Sequence, residues 1–318
     1  FVGVSIATEA ICSSFFGVPH LINATMIKKV SETILDFTPS LMVVGGWSTG
    51  YELLLNELSK KRSFPVVCIY HGTWYHEKYF GSEALERMYY SYKMNHIDLL
   101  SFVHPKTTEY YRNIRGNTGV VWLPHYFTPT QKVKRVDKKL RIGIFGGTNS
   151  WYKNAYGAEL VAKDYMLRKN SQVEVVSASN YSKSHQQFLK ELSDYHLIIH
   201  PSFLECYSNT LQEAWARGIP TIASKANKGL YSSPLVSEHE YVGEVLDDCI
   251  DPCELFRAIE RVDEHWEEYS LGVHKTAHVI GEKAKKYTSR LFKHIVHSHK
   301  KGEVRLNHEA YGAPFINK

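Results

Sequence analysis

Two glutamates, Glu205 and Glu213, are separated by seven residues in a stretch whose pattern suits a charged, hydroxyl-rich ligand. An apolar run that stops at His200-Pro201 predicts a buried strand before them, and helical spacing from Asn209 predicts a helix that contains Glu213. Ionised carboxylates accept hydrogen bonds from hydroxyls, whereas the N–H groups at a helix N-terminus favour an anion. The pattern therefore indicates a ligand that is part diphosphate and part polyol, as in a nucleotide sugar. The alternative is that both glutamates are solvated acids on an ordinary amphipathic helix.

The helix in this stretch has recognisable start and stop signals. Asn209 is expected to be its N-cap, with the side chain of Gln212 reaching back to it. Gly218 and Pro220 are expected to close the helix before a further strand begins at Thr221. Three small polar residues at the helix start would let a phosphate approach their backbone N–H groups: Ser208, Asn209 and Thr210.

The order and spacing of these residues resemble the donor site of the retaining GT-B glycosyltransferases, most closely glycosyltransferase family 4. In that family a Pro-Ser, a Glu, seven residues, a second Glu followed by Ala, and a Gly-x-Pro recur in this order. Here they are Pro201-Ser202, Glu205, Glu213-Ala214 and Gly218-Ile219-Pro220. The resemblance implies that Glu205 binds a hydroxyl of the donor sugar and that Glu213 binds the ribose hydroxyls.

The same resemblance implies further donor-binding residues after two other strands. The strand over 140–145 is followed by Gly146, Gly147 and Thr148, and then by Lys153, where the family has a lysine that neutralises the diphosphate. Gly147 stands where the family has an arginine, so either one cation suffices or another residue substitutes. Tyr181 follows the strand over 173–177, where the family holds the nucleotide base. The alternatives are that Lys153 is an exposed loop lysine and that Tyr181 is a surface aromatic.

One residue of the first half, His71, is predicted to take part in the site. It follows the strand over 66–70 and precedes Gly72, and parallel strands place their ligands at this end. Members of the resembled family often have a histidine after the matching strand, facing the donor sugar. Since the chain has 17 histidines, the alternative is a loop histidine that is hydrogen-bonded to backbone.

The resemblance implies a transfer of sugar from a UDP- or GDP-sugar to an acceptor hydroxyl with retention of anomeric configuration. His71, Lys153 and Glu205 are the predicted catalytic residues. Lys153 and the amides of residues 208–210 would stabilise the departing diphosphate, without the paired carboxylates of a glycosidase and without a metal or other cofactor. Two alternatives remain: a sugar-nucleotide epimerase of the same fold, and a catalytically silent homologue that only binds nucleotide sugars.

Strands alternate with helices along the chain, which predicts an α/β protein with doubly wound parallel sheets. The resemblance makes this a GT-B fold: two Rossmann-like domains, a cleft between them and a C-terminal helix that crosses back. The expected parts are an acceptor-side domain over 1–130, a basic linker over 131–139, a donor domain over 140–285, and a crossover helix and tail over 286–318. Strands are predicted over 1–8, 18–22, 41–44, 66–70, 99–103, 120–123, 140–145, 173–177, 197–199 and 221–223, and helices over 9–16, 27–37, 51–58, 83–95, 107–113, 186–192, 252–262 and 266–299.

The composition is that of an ordinary soluble globular protein. The 318 residues are 43% hydrophobic and 22% charged, and the net charge of +5 is low for a nucleic-acid binder. Five cysteines without zinc-ligand spacing, and the lack of a signal peptide or an apolar run of 18 residues, predict a cytoplasmic protein without a transmembrane segment. Because the chain begins with Phe1, we expect a fragment or a trimmed chain.

Two basic clusters, at 132–141 and 283–301, bear on the partners that the chain could bind. They are interpreted as a linker and a solvated helix, and the alternative is peripheral contact with phosphate-rich lipid or acidic glycan. The partner that the site predicts is a nucleotide-sugar donor. The acceptor could be a glycan, a lipid, a protein or a modified base.

Overall fold

The computed structural model describes residues 27–72, 83–116, 119–125, 127–135, 139–145, 151–169, 172–178, 185–227 and 243–300. These residues form two parallel β-sheets with helices between the strands. The chain divides into two compact units. Unit 1 contains the described residues up to 125 and those from 283 onward, and unit 2 contains the described residues between 127 and 282.

Unit 1 is built on a four-stranded sheet whose strands are all parallel and lie in the order β1-β2-β3-β4. Strand β2 is buried along its whole length, as expected for a parallel strand covered on both faces. Val66, Cys68 and Tyr70 of this strand belong to one apolar cluster together with residues of helices α2 (Thr49–Ser59) and α3 (Ala84–Lys93). The elements are α1 (Ile27–Phe37), β1 (Met42–Gly45), α2 (Thr49–Ser59), β2 (Val66–Tyr70), α3 (Ala84–Lys93), β3 (Leu99–Phe102), α4 (Pro105–Glu109) with a π-helical turn (Tyr110–Ile114), and β4 (Val120–Trp122).

Unit 2 contains a five-stranded parallel sheet in the order β6-β5-β7-β8-β9. The chain passes from β5 to β6 on one side and then returns to β7 on the other side of β5. This reversal makes the carboxyl ends of β5 and β7 a topological switch point, where open α/β sheets bind their ligands. The elements are β5 (Leu140–Phe145), a 3-10 turn (Trp151–Lys153), α5 (Ala155–Lys169), β6 (Val173–Ala178), α6 (His185–Leu192), β7 (Leu197–His200), α7 (Asn209–Trp215), β8 (Thr221–Ser224), a 3-10 turn (Lys225–Asn227), β9 (Glu244–Leu246), α8 (Pro252–Glu264) and α9 (Trp266–Lys300).

Helices cover both faces of the second sheet. Ala158 and Tyr165 of α5 belong to one apolar cluster together with residues of α8, whereas Phe188 and Leu192 of α6 belong to another. Successive residues of a strand point to opposite faces, so β5 contributes Ile144 to the first cluster and Phe145 to the second. The expected doubly wound arrangement is therefore present in unit 2.

The final helix, α9, is 35 residues long and is anchored in both units. In unit 2 the indole N–H of Trp266 donates to the carbonyl of His196 at 2.7 Å, and the hydroxyl of Ser270 donates to the carbonyl of Gly218 at 2.6 Å. In unit 1 the hydroxyl of Tyr287 donates to the carbonyl of Trp122 at 3.0 Å. None of the described helices, α9 included, combines the length and the apolar character needed to cross a lipid bilayer.

The strands and helices predicted over the described residues are present, with ends displaced by no more than two residues when α4 is taken together with the π-helical turn that continues it. One of these displacements has a visible cause. The helix predicted over 107–113 begins at Pro105, because the ring of His104 accepts a hydrogen bond from the N–H of Thr107 and proline suits the first helical position. The elements predicted before residue 23 lie outside the described residues.

The start of the segment predicted as a linker (131–139) and the residue before it are hydrogen-bonded within unit 2. The N–H of Thr130 donates to the carbonyl of Ala216 and the N–H of Val133 donates to the carbonyl of Arg217, both at 2.8 Å. These bonds attach residues 130–133 to the end of the chain segment that contains Glu213.

Candidate functional site

Lys153 and Glu205 meet at the switch point of the second sheet. Lys153 ends the 3-10 turn that follows β5, and Glu205 lies in the loop after β7. The two loops are joined by a hydrogen bond from the N–H of Phe203 to the carbonyl of Tyr152, at 2.7 Å. Because β5 and β7 are neighbours, residues that are 52 positions apart in sequence are brought into direct contact.

The side chains of Lys153 and Glu205 form an ion pair through the Nζ and Oε2 atoms. The pair is mostly withdrawn from solvent, with 20% of the lysine side chain and 11% of the glutamate side chain exposed. His200 lies beneath it, only 4% exposed, with Nε2 at 3.0 Å from Oε2 of Glu205. The ring of His200 is held from its other side by the carbonyl of Phe145, 3.3 Å from Nδ1, and the hydroxyl of Ser202 lies 3.1 Å from Nε2.

The surroundings of Glu205 keep its carboxyl ionised. Burial alone would raise the pKa of this group, but the ammonium of Lys153 and the hydrogen bond from His200 outweigh that effect and hold the pKa well below its usual range. An ionised carboxylate is an acceptor only. The candidate site therefore presents one fixed cation beside one fixed hydrogen-bond acceptor.

The helix that contains Glu213 begins one residue earlier than predicted. Its N-cap is Ser208, whose hydroxyl accepts from the N–H of Leu211 at 3.4 Å. The prediction of Asn209 as N-cap is wrong, and Gln212 does not reach back to Asn209 but donates its side-chain amide to the carbonyl of Ser208 at 3.2 Å. Ser208 and Asn209 are almost equally good N-cap residues, so local sequence does not separate them.

The end of that helix is as predicted. Gly218 has φ +65°, a left-handed conformation that suits glycine, and its N–H donates to the carbonyl of Trp215 at 2.9 Å. The N–H of Ile219 donates to the carbonyl of Ala214 at 2.9 Å, which completes a Schellman motif. A Cβ at Gly218 would also lie 3.2 Å from the carbonyl of Ser270 on α9.

Glu213 is half-buried and is held by a histidine that the sequence did not indicate. Nε2 of His185, the first residue of α6, lies 2.7 Å from Oε1 of Glu213. The ring of His185 in turn stacks on Phe188, with centroids 6.5 Å apart. The carboxylate of Glu213 thus has a fixed direction, which a residue that binds hydroxyls requires.

In unit 1, His71 lies at the carboxyl end of β2, as predicted, and is in contact with a second histidine. Nδ1 of His71 is 3.0 Å from Nε2 of His125, which follows β4. Burial, and secondarily the proximity of His125, holds the pKa of His71 well below its ordinary value. His71 is therefore a neutral imidazole at pH 7, able to donate or to accept one hydrogen bond at each nitrogen according to its tautomer.

Several predicted site residues lie outside the described residues, namely Gly146, Gly147, Thr148 and Tyr181. Their roles stay predictions, as do the phosphate contacts of residues 208–210. Over the part of the chain that the structure describes, no group of three or more histidine, cysteine, aspartate or glutamate side chains could hold a metal ion.

Comparison with known proteins gives a fold. No family model and no curated protein matches the sequence. Among solved structures, a TarM mutant from S. aureus in complex with UDP and alpha-GlcNAc-glycerol matches with a TM-score of 0.63 and 11% identity, over 85% of this chain and 58% of that one. The pneumococcal O-GlcNAc transferase GtfA in complex with UDP and GlcNAc matches with a TM-score of 0.61 and 9% identity, over 86% of this chain and 60% of that one.

A third structure matches over nearly the full length of both chains. HepE from Anabaena, in complex with UDP-glucose, has a TM-score of 0.56 and 14% identity, over 94% of this chain and 95% of that one. The fold of the chain is thus that of the GT-B glycosyltransferases, as predicted. The chain spans less than two thirds of the TarM and GtfA chains. Membership of family 4 and retention of configuration stay predictions.

Proposed function

We propose that the chain is a glycosyltransferase that moves a sugar from a nucleotide-diphosphate sugar to an acceptor hydroxyl. The observation that carries this proposal is the ion pair of Lys153 and Glu205 at the switch point between β5 and β7. A cation suits a diphosphate, and an ionised carboxylate suits the hydroxyls of a sugar. Structures of the same fold contain UDP or UDP-glucose, which supports a donor of this class.

In the proposed reaction, the bond between the anomeric carbon and the diphosphate oxygen breaks, and the acceptor oxygen bonds to the same carbon. The negative charge that develops on the departing diphosphate is stabilised by Lys153, with the dipole at the start of α7 as a further contribution. The leaving phosphate takes the proton of the acceptor hydroxyl. We propose that configuration is retained and that no metal takes part, as in family 4.

Glu205 holds a hydroxyl of the donor sugar in this proposal, and the residues around it fix its position. His200 contacts the carboxylate from the buried side and is itself contacted by the hydroxyl of Ser202, so that Glu205 is directed at the ligand before the ligand binds. Glu213, oriented by His185, accepts hydrogen bonds from the ribose hydroxyls. His71 contacts a hydroxyl of the sugar as a neutral donor or acceptor, and the domain over 1–130 binds the acceptor.

A panel of UDP-sugars and GDP-sugars tests the proposal. The protein is incubated with each donor and a mixture of glycan, lipid, peptide and modified-base acceptors, with and without EDTA, and released nucleotide is measured. We expect release from a subset of donors, unaffected by EDTA, and abolished in Lys153→Ala. Lys163→Ala is the matched control, because Lys163 is an exposed lysine paired with Glu159 four residues away.

Each other outcome contradicts the proposal in a defined way. Epimerised sugar without a transfer product would identify an epimerase. Nucleotide binding without turnover of any donor would identify a silent homologue. Equal activity of the Lys153→Ala and Lys163→Ala variants would remove Lys153 from the mechanism.

A further inference from the structure

Two aromatic rings, those of Trp151 and Phe203, are exposed beside the candidate site. Trp151 is 65% exposed and Phe203 is 39% exposed. Their ring centroids lie 5.9 Å apart, with the planes inclined at 34°. Large aromatic side chains contribute most by being buried, and contiguous apolar groups left at the surface mark binding sites more often than single ones do. The exposure of two adjacent aromatic rings therefore indicates a binding role separate from that of the ion pair.

The two rings are fixed by the same backbone that fixes the ion pair. Trp151 is two residues before Lys153, and Phe203 is two residues before Glu205. The hydrogen bond between the N–H of Phe203 and the carbonyl of Tyr152 joins the two loops at this point. The buried ring of Tyr152 contacts both the aromatic pair and the ion pair. It lies edge-on to the ring of Trp151, with centroids 6.4 Å apart, and Nζ of Lys153 lies 5.2 Å from its centroid.

We propose that Trp151 and Phe203 form a stacking surface for a pyranose ring of the substrate. A pyranose has an apolar face of C–H groups and a rim of hydroxyls. The face would be buried on the two aromatic rings, and a hydroxyl of the rim would reach the carboxylate of Glu205. This inference rests on the proposed function, because Glu205 and Lys153 are assigned there to the sugar and the diphosphate.

The position of the surface favours a sugar over a nucleobase, which also stacks on aromatic rings. In a nucleotide sugar, the pyranose is bonded directly to the diphosphate, whereas the base is separated from it by the ribose. The ring of Trp151 lies 6.4 Å from the ring of Tyr152, and Nζ of Lys153 lies 5.2 Å from that same Tyr152 ring. A surface this close to the proposed diphosphate cation meets a pyranose before it meets a base. Because the acceptor oxygen must approach the anomeric carbon, a pyranose of the acceptor would lie in the same region. The stacked pyranose therefore belongs either to the donor or to the acceptor.

Binding measurements on the full chain test this surface without requiring turnover. UDP, UDP-glucose, GDP, GDP-mannose and methyl α-D-glucopyranoside are the probes, titrated by calorimetry or by ligand-observed NMR. The variants are Trp151→Ala, Phe203→Ala and Trp151→Phe. Tyr156→Ala is the matched control. Tyr156 is an exposed aromatic residue in the first turn of α5, five residues after Trp151 in the sequence.

We expect the two alanine variants to weaken binding of a sugar-bearing probe about three- to tenfold, the range of an aromatic contact. Binding of the free nucleotide should change less than about twofold, and Trp151→Phe should restore most of the sugar affinity. If the donor sugar is stacked, the advantage of the nucleotide sugar over the nucleotide is lost. If an acceptor sugar is stacked, the methyl glucoside binds about three- to tenfold more weakly and donor affinity stays.

Two results would overturn the inference. One is that every sugar-bearing probe binds the alanine variants as it binds the Tyr156→Ala control. The other is that nucleotide and nucleotide sugar weaken equally, which would assign the rings to the nucleotide. A wild-type protein that binds the methyl glucoside through these rings but binds no nucleotide would contradict the proposed function alone.

Discussion

Replacing Glu205 by glutamine tests the electrostatics of the candidate site through stability, independently of any substrate. Glutamine keeps the shape of the side chain and removes its charge, which leaves the ammonium of Lys153 without its carboxylate partner. Breaking a fully buried ion pair from one side costs about 3–5 kcal/mol, and an exposed pair contributes under about 1 kcal/mol. Because this pair is mostly but not fully withdrawn from water, we expect a loss of about 2 kcal/mol at pH 7.

The loss should depend on pH in a defined direction. The pKa of Glu205 is lowered in the folded chain, so its contribution to stability is present above the ordinary carboxyl pKa of about 4.3 and is lost as the pH falls toward the folded value. The Glu205→Gln variant has no such group. The stability difference between wild type and variant should therefore be largest near pH 7 and should shrink as the pH is lowered from about 4.5 to 3.

Thermal unfolding at several pH values measures this difference. For a unit of this size, about 2 kcal/mol corresponds to a lowering of Tm by roughly 4–8 °C. Glu159→Gln is the matched control, because Glu159 pairs with the exposed Lys163 on one helix and should change stability by less than about 0.5 kcal/mol. A Tm difference that is the same at pH 7 and pH 3, or that is no larger than in the control, would refute the reasoning.

Three further predictions concern single residues. Glu213→Ala should weaken nucleotide binding at least ~10-fold in calorimetry, since charge-assisted hydrogen bonds contribute about 1.5–3 kcal/mol each, and unchanged affinity would remove Glu213 from the ribose site. His71→Ala should cut transfer strongly but leave binding of free UDP or GDP within about twofold, and wild-type transfer rates would contradict its role at the sugar. Ser208→Ala should destabilise the fold by about 1 kcal/mol and Asn209→Ala by much less; the reverse order in denaturant unfolding would restore Asn209 as the N-cap.

The sequence predicted the fold because two signals agreed. The alternation of strands and helices predicted parallel α/β sheets, and the Glu-x7-Glu pattern resembled a family with that fold. Buried runs such as 66–70 and 197–199 predicted the strands, and the stop and start signals between residues 200 and 221 predicted the helix that contains Glu213 and the strand after it. The contact between Lys153 and Glu205 could not be predicted from spacing, because it depends on β7 lying next to β5 and not next to β6. The order of strands in a sheet depends on pairing between segments that are distant in sequence, and local periodicity does not determine it.

The histidines that support the candidate site were not predicted from the sequence. His125, His185 and His200 each hold a predicted site residue, and each went unassigned among 17 histidines. Only His200 had a local signal, since it is the last residue of a buried strand and immediately precedes a proline. A supporting ring is identified by what it touches, so its role becomes visible only when the contacts of the folded chain are known.

The long helix α9 has a consequence for the order in which the protein is made. Residues from 283 onward belong to unit 1, whose sheet is encoded by the first half of the chain, while unit 2 is encoded between them. During synthesis, every described residue of unit 2 therefore leaves the ribosome before the last helical segment of unit 1 does. Buried side chains of this segment, such as Tyr287 and Leu291, are supplied to unit 1 only after the described residues of unit 2 have been made. The N-terminal unit is thus completed last, and until then its apolar surface that receives α9 is left uncovered in the nascent chain.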